Sequence, residues 1–255
     1  MSTPLKVWLE AEGKLLRLRL SRPKANLIDA AMIDALDRAL AEHVDSPGLS
    51  AVLLDAEGPH FSYGASVEEH MPGQCEGMLI GIHRLILRMV EAPVTILVAV
   101  RGQCLGGGLE VALAGHLLFT CPDAVLGQPE MKLGVFAPAA SCLLPELIGP
   151  MRAIDLLLSG RTISGAEAAA MGLAQGVAAD PENTALSYFA EHLKPKSASS
   201  LRYAIKAARS DYAARLRNKI KSVERLYLDE LMKTHDAVEG LEAFMGKRAV
   251  QWQHR

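Results

Sequence analysis

The chain has 255 residues, 50% of them hydrophobic, and a formal net charge of −2. This length and composition fit one domain with a large apolar core, or one domain with an appendage. The near-neutral charge argues against the strongly basic class of nucleic-acid-binding proteins, so no nucleic-acid partner is expected. The four cysteines form no C-x-x-C pair and lack metal-ligand spacing, which is typical of a reducing compartment.

The N-terminus and the apolar stretches of the chain indicate neither export nor membrane insertion. Charged residues occur within the first ten positions and no apolar signal core follows, so we expect a cytoplasmic protein. No uncharged apolar stretch reaches the roughly 18 residues of a membrane-spanning helix, so no membrane partner is expected.

Hydrophobic periodicity predicts alternating strands and helices over the first 120 residues. Strands are predicted at residues 7–10, 15–20, 51–54, 94–100 and 117–120, and helices at 30–43, 77–90 and 109–114. Strand, helix and strand in this order predict an α/β fold with parallel strands.

Beyond Pro138 the chain is predicted to be mainly helical. Helices are predicted at residues 153–158, 165–171, 181–193, 199–206, 213–231 and 237–247. One side of the helix at 213–231 carries the apolar residues Leu216, Ile220, Val223, Leu226 and Leu231. That is more apolar surface than a lone surface helix should expose, so we expect this side to form an oligomer contact.

Two glutamates, Glu110 and Glu130, stand in distinctive settings. Glu110 closes a glycine-rich segment, residues 102–110, and Glu130 follows Gln128-Pro129. Paired carboxylates suit the addition or removal of water, because one group must take a proton and the other must give one. The triple glycine at 106–108 allows a substrate oxygen to approach bare backbone N–H groups. Together these features suggest acid/base chemistry next to a polarised carbonyl.

The glycine-rich segment also has a plainer interpretation. Its glycines could serve only the close packing of a helix against a strand, and Glu110 could be a residue favoured by the helix dipole. The segment lacks the G-x-G-x-x-G register of a dinucleotide-binding turn, and no Gly-Lys-Ser/Thr of a P-loop follows.

Other polar residues are weaker candidates. Ser62 or Ser66 as a nucleophile would need a base that the spacing does not supply. His60, His83 and His116 lack metal-ligand spacing and are predicted to be surface or hydrogen-bonded histidines, so no metal is expected.

Several motifs resemble, in order, those of the crotonase (enoyl-CoA hydratase/isomerase) superfamily. They are Arg22-Pro23-Lys24-Ala25-Asn26, Phe61 to Ala65, Gly102 to Glu110, Gln128-Pro129-Glu130 with Leu133-Gly134, Leu158-Ser159-Gly160, Ala168 to Leu173, and Phe244 to Arg248. The resemblance covers nearly the whole chain. It implies an α/β, ClpP-like spiral of ββα turns as the catalytic core, residues 1–195, and a C-terminal helical trimerisation region, residues 196–255.

The resemblance implies an acyl-CoA thioester substrate, no cofactor beyond the coenzyme A of that substrate, and a homotrimer or dimer of trimers. The backbone N–H groups of Ala65 and Gly107 would form the oxyanion hole for the thioester oxygen. Glu110 and Glu130 would match the pair that handles water in hydratases. The presence of both glutamates favours a hydratase over an isomerase, dehalogenase or decarboxylase.

The resemblance also implies contacts with the substrate. The adenine end of coenzyme A would be gripped by Lys24, Ala25 and Leu27, and a C-terminal segment with Phe244 and Lys247, often from a neighbouring subunit, would contact coenzyme A. The substrate-binding set further includes Tyr63, Gly64, Ser66, Gly106 and Phe136.

The chain departs from the family pattern near the acyl group. Tyr63 and Ser66 stand where Ala and Asp are common, and residues 135–141 replace a glycine-rich turn. Phe136 with two nearby alanines resembles a subgroup, the cyclohexa-1,5-diene-1-carbonyl-CoA hydratases, which predicts a flat cyclic acyl group. The alternatives are a general enoyl-CoA hydratase, an isomerase or ring-opening hydrolase on the same scaffold, and a non-enzymatic RNA-binding or scaffolding paralogue.

Overall fold

The computed structural model describes residues 3–255. The strands are β1 (Leu5–Glu10), β2 (Leu15–Leu20), β3 (Ala51–Ala56), β4 (Thr95–Val100), β5 (Gln103–Leu105), β6 (Leu117–Thr120), β7 (Val125–Gly127), β8 (Thr162–Ser164) and β9 (Gly176–Val177). The helices are α1 (Ala30–His43), α2 (Cys75–Glu91), α3 (Gly107–Ala114), α4 (Pro138–Ile148), α5 (Pro150–Ser159), α6 (Gly165–Ala170), α7 (Pro181–Tyr188), α8 (Ala198–Arg225) and α9 (His235–Met245). Short 3₁₀ segments lie at Glu68–His70, Pro129–Leu133 and Leu231–Lys233, and π-helical segments at Phe189–Leu193 and Leu226–Glu230.

The strands form two sheets. The larger has the order β1-β2-β3-β4-β6-β9, and all its pairings are parallel except the β1–β2 hairpin. The smaller has the order β5-β7-β8. The prediction of an α/β fold with parallel strands is therefore confirmed.

Both faces of the larger sheet are covered at its central strands, which explains why β3, β4 and β6 are mostly apolar. Alternate residues point to opposite faces. Leu16, Val52 and Val98 belong to the main core with α1, α2 and α3. Leu53 and Leu97, one position away, pack with residues of α7 and of the π-helical segment after it.

Two isolated bridges fix the segment at residues 62–65. Cys104 in β5 forms a bridge with Ser62, and Ala65 forms one with Ile28. Because β5 leads directly into α3, the segment at residues 62–65 lies beside the first turn of that helix.

The prediction that the C-terminal part of the chain is helical is confirmed, but its division into separate helices at 199–206 and 213–231 is wrong. Residues 198–225 form one continuous helix, α8, where two helices at 199–206 and 213–231 were predicted. The intervening residues 207–212 contain no glycine or proline and hold good helix formers, so nothing interrupts the backbone hydrogen bonds. The helix then changes to a π-helical segment at Leu226.

Residues 135–141, which stand where the family pattern has a glycine-rich turn, do not form a loop throughout, because α4 begins at Pro138. Proline suits the first position of a helix, where its missing N–H costs no hydrogen bond. The backbone N–H groups of the first turn of α4 therefore point toward the preceding segment.

The apolar side of α8 packs mainly against its own chain. Leu216 and Ile220 are buried in the main core, Val223 and Leu231 pack against it, and only Leu226 is largely exposed. The oligomer argument drawn from this side is therefore wrong, because the tertiary fold already covers most of it.

Across residues 3–255, the helices include none that is both long and apolar enough to span a membrane.

Candidate active site

A cavity of about 450 Å³ opens between α2, α3, the 3₁₀ segment at Pro129–Leu133 and α9. Its lining includes seven residues of the predicted site: Tyr63, Gly64, Ala65, Gly106, Gly107, Glu110 and Glu130. Phe136 and Phe244, which were also predicted, line the same cavity. The other apolar lining residues are Val67, Met78, Leu79, Ile82, Leu105, Leu133, Val135 and Pro138. The fold thus brings most of the predicted site residues to one concave, largely apolar place.

Glu110 lies in the first turn of α3 and is only 5% exposed. Its Oε1 accepts a hydrogen bond from the Ala140 N–H in the first turn of α4, at 2.8 Å. A side chain at Gly108 would put its Cβ 2.5 Å from the Ser62 Cβ, so glycine is needed for α3 to pack this closely. Close packing and the carboxylate site therefore come from the same glycine-rich segment.

Glu130 reaches the same cavity from the other side. It lies in the 3₁₀ segment that follows β7, next to the fully buried Gln128. With its amide nitrogen turned toward the carboxylate, Gln128 donates to both Glu130 oxygens at 3.1 Å. Gly106 leaves room for this carboxylate, because a Cβ there would lie 2.6 Å from Glu130 Oε1.

The electrostatics of the two glutamates are linked. Burial raises the pKa of Glu110, while the Ala140 N–H and the field of His83 act in the opposite direction. Burial and then the negative charge of Glu110 raise the pKa of Glu130 to about 8. Two neighbouring carboxylates, Glu110 buried and Glu130 half-buried, resist ionising together, so the pair retains a proton near neutral pH. Such a pair can both accept and donate a proton.

This arrangement should cost folding stability at high pH. Because the folded pKa of Glu130 exceeds its ordinary value of 4.5, ionisation destabilises the fold as pH rises from 4.5 toward 8. We expect Glu130→Gln to unfold at a higher temperature than wild type at pH 8, by about 2–4 °C for each kcal/mol regained. The difference should shrink as pH falls to 4.5, as followed by calorimetry.

The exposed Glu42→Gln on α1 is the control for this measurement, since removing a solvated carboxylate should leave the melting temperature nearly unchanged. A Glu130→Gln protein that is no more stable than wild type at pH 8 would contradict the predicted burial penalty.

Two backbone N–H groups face the cavity near the glutamates. Among residues 3–255, the N–H groups of Ala65 and Gly107 donate to no backbone carbonyl, and Gly107, as the first residue of α3, has no partner within the helix. A Cβ built on Gly107 would lie 3.2 Å from the Ala65 nitrogen, so the two segments approach closely. This geometry can accept a substrate oxygen between two unpaired donors.

Among the coenzyme A candidates, Phe244 lines the cavity, whereas Lys24, Ala25, Leu27 and Lys247 lie outside its lining. Ala25 accepts a hydrogen bond from the Tyr63 N–H at 2.9 Å, so Lys24, Ala25 and Leu27 run alongside the Tyr63–Ala65 segment. Lys24 is exposed. Lys247 is also exposed, three positions after the lining residue Phe244.

An aromatic pair forms part of the cavity wall. The rings of Phe136 and Tyr227 meet edge to face, with centroids 5.3 Å apart. Tyr227 comes from the π-helical segment after α8 and is fully buried. The C-terminal helices therefore hold Phe136 in place from behind.

Comparison with known proteins agrees with this geometry. Residues 10–255 match the family model described as enoyl-CoA hydratase/isomerase. The chain belongs to this family. It is 63% identical, over 100% of its length and 98% of the relative's, to a cyclohexa-1,5-dienecarbonyl-CoA hydratase from Thauera aromatica. It is 30% identical to a probable enoyl-CoA hydratase from Bacillus subtilis, over 92% of this chain and 94% of that protein.

Solved structures confirm the crotonase fold. An enoyl-CoA hydratase/isomerase from Pseudoalteromonas atlantica superposes with a TM-score of 0.85 at 26% identity, over 98% of this chain and 99% of the other. An enoyl-CoA hydratase from Mycobacterium avium subsp. paratuberculosis also gives a TM-score of 0.85, at 23% identity and 98% coverage of both chains. The ββα spiral with C-terminal helices is therefore the fold of this family member.

Most of the weaker candidates have structural explanations. For His83 the prediction of a surface or hydrogen-bonded histidine was wrong, because it lies on the buried side of α2 and neither ring nitrogen forms a hydrogen bond within residues 3–255. Ser62 is fully buried and accepts from the Gly64 N–H at 3.1 Å, which leaves it no role as an exposed nucleophile. His60 and His116 each accept a backbone N–H through Nδ1, from Gln103 and Ile96. Within residues 3–255, no group of three or more His, Cys, Asp or Glu side chains is arranged to hold a metal.

Three residues at or next to this cavity were not among the predicted site residues. Gln128 supports Glu130, Tyr227 supports Phe136, and His70 lines the cavity from the short 3₁₀ segment at Glu68–His70. Only Gln128 had a local signal, since it stands two positions before Glu130. A three-residue 3₁₀ turn has no periodicity to detect, and Tyr227 is remote from the site in sequence.

Proposed function

We propose that this chain adds water to a cyclic dienoyl-CoA thioester, cyclohexa-1,5-diene-1-carbonyl-CoA. The observation that carries the proposal is the placement of Glu110 and Glu130 beside two unpaired backbone donors in one largely apolar cavity. The 63% identical relative bears the name of this hydratase. An RNA-binding or scaffolding role would require neither the paired carboxylates nor the donors.

The proposed chemistry follows from the geometry. The thioester oxygen lies between the N–H groups of Ala65 and Gly107, which stabilise the negative charge that develops on it as an enolate. One member of the Glu110–Glu130 pair takes a proton from water as the water oxygen bonds to carbon. The other returns a proton to carbon when the enolate collapses. Coenzyme A is part of the substrate, and no further cofactor takes part in the proposed steps.

The acyl preference is proposed from the cavity wall. Phe136 offers a flat apolar surface, and Tyr227 fixes its orientation through an edge-to-face contact. Val135 and Pro138 line the cavity next to it, and the fully buried Ala139 and Ala140 lie behind this wall, so the surface around Phe136 is apolar. A flat hydrocarbon ring fits such a surface better than a flexible linear chain.

We expect a higher kcat/KM for cyclohexa-1,5-diene-1-carbonyl-CoA than for crotonyl-CoA, measured with one enzyme batch. Apolar shape discriminates by roughly 1–3 kcal/mol per misfit methylene, so crotonyl-CoA should react slowly. Mass spectrometry in ¹⁸O-labelled water separates hydration from isomerisation, because only hydration adds the label. A clear preference for crotonyl-CoA would assign the chain to the general enoyl-CoA hydratases.

The assembly and location are proposed from the exposed face of α5 and from the cysteines. The exposed face of α5 carries Met151, Ile154 and Leu158 at 80%, 50% and 64% exposure, which is an apolar surface that a second subunit could cover. We propose a homotrimer or dimer of trimers. All four cysteines are unpaired and buried, which supports a reducing, cytoplasmic location.

A further inference from the structure

His70 is a polar side chain in the acyl cavity to which the proposed reaction assigns no role. It ends the 3₁₀ segment that follows the Tyr63–Ala65 strand segment, and its ring lines the cavity. The residue is half-buried. Most of the lining around it is apolar, and the other polar side chains there are Tyr63, Glu110, Glu130 and Lys132.

A backbone contact fixes the state of the imidazole. His70 Nδ1 lies 2.8 Å from the carbonyl oxygen of Ser66, and a carbonyl oxygen can only accept a hydrogen bond. Nδ1 therefore carries the proton. Burial lowers the pKa of His70 below its ordinary value of 6.5, so the ring is neutral at pH 7. The remaining nitrogen, Nε2, then holds a lone pair and acts only as an acceptor.

This acceptor lacks a donor in the part of the chain that the structure describes. No hydrogen bond to Nε2 is formed by any residue from 3 to 255. A polar group in an apolar cavity needs a partner when the cavity fills. The nearby cationic side chain, Lys132, is exposed, and the hydrated acyl group brings a hydroxyl donor that the unhydrated one lacks.

We propose that His70 Nε2 accepts a hydrogen bond from the hydroxyl group of the hydrated acyl moiety, which makes His70 a specificity residue of the acyl cavity. The inference rests on the proposed hydratase function and does not depend on whether the acyl group is a ring. Ser66 fixes the tautomer through its backbone, so the oxyanion segment and the hydroxyl acceptor are coupled in position.

Calorimetric titration with matched ligands tests this assignment. One pair is a hydroxycyclohexenecarbonyl-CoA with its non-hydroxylated counterpart, and the other is 3-hydroxybutyryl-CoA with butyryl-CoA. Wild type should bind the hydroxylated member of at least one pair about tenfold more tightly, the worth of one buried hydrogen bond. His70→Leu should abolish this preference, and His70→Gln, which keeps an acceptor oxygen, should restore part of it.

His43→Leu is the matched control. His43 Nδ1 also bonds the carbonyl four residues earlier, that of Ala39 at 2.9 Å, but His43 lies on α1 outside the cavity lining. This variant should keep the full hydroxyl preference. If His70→Leu fails to fold, His70→Met is titrated in its place, since an unbranched apolar side chain is readily accommodated.

An unchanged preference in the apolar His70 variant, or the lack of any preference in wild type, would overturn the assignment. The turnover assay keeps the two proposals apart. A chain that prefers hydroxylated ligands through His70 but does not hydrate the cyclic diene refutes the ring substrate and leaves the His70 assignment intact.

Discussion

Glu110→Gln and Glu130→Gln should each slow hydration by about 10²–10⁴-fold, the usual contribution of a positioned acid or base. Each change keeps the shape of the side chain and removes its proton-transfer capacity. Glu110 is held by the Ala140 N–H and Glu130 by Gln128, so the loss should appear in kcat. Affinity for the coenzyme A thioester should be nearly unchanged, as measured by titration with a non-reactive acyl-CoA.

The double variant distinguishes a cooperating pair from two independent groups. If the glutamates share one proton path, the double variant should be little slower than the worse single variant. Glu42→Gln, which removes an exposed carboxylate on α1, should retain full activity. Full hydratase activity in either single variant would refute the paired-acid mechanism.

Gly107→Ala keeps the backbone N–H but should lower kcat/KM by about 10²–10³-fold, as much as the loss of one oxyanion donor, because its methyl group keeps the thioester oxygen away from the donors. The new methyl group would lie 3.1 Å from the Ala65 Cβ, 3.2 Å from the Ala65 nitrogen and 3.3 Å from Ile82 Cδ1. It therefore occupies the space between the two N–H groups where the thioester oxygen is proposed to bind. Steady-state kinetics and the affinity for a thioester-enolate analogue should fall together.

Gly77→Ala provides a matched glycine control in a helix. Gly77 is exposed on α2, and a Cβ there meets nothing within 4 Å. Alanine at this position should stabilise the helix by roughly 0.5–1 kcal/mol and leave kcat/KM unchanged. If Gly107→Ala keeps both the wild-type rate and the affinity for the analogue, no oxyanion is held at this position.

Much of the site was predictable because its parts are local in sequence. The glycine-rich segment packs α3 against Ser62 and leaves backbone N–H groups accessible to a ligand. Both properties depend on consecutive residues of the chain. Continuous apolar runs predicted the buried strands β3 and β4 for the same reason, since both faces of each strand meet a core. The structure shows the close packing of these glycines, and their role in holding an oxyanion stays a prediction.

The prediction failed where a boundary depends on tertiary contacts. The local pattern of residues 199–231 suggested two helices, whereas α8 is continuous and packs Leu216 and Ile220 into the core. Helix ends are decided by caps and by packing partners, which a periodic pattern does not reveal. The same packing covers most of the apolar residues that had suggested an oligomer contact.

The sequence by itself determined the family motifs and the order of β1 to β4, β6 and α1 to α3, and it singled out Glu110 and Glu130 as candidates, because each depends on residues close together in the chain. It missed the short strands β5, β7, β8 and β9 and the helix α4, because two- and three-residue strands have no periodicity and α4 begins within a segment read as a loop. Only the tertiary structure decided that Tyr227 holds Phe136 and that His70 faces the acyl cavity. It also decided the pKa of Glu130, which burial and then the negative charge of Glu110 raise. These features depend on burial and on contacts between distant segments, and both arise only when the C-terminal helices and the short 3₁₀ turns have packed around the spiral.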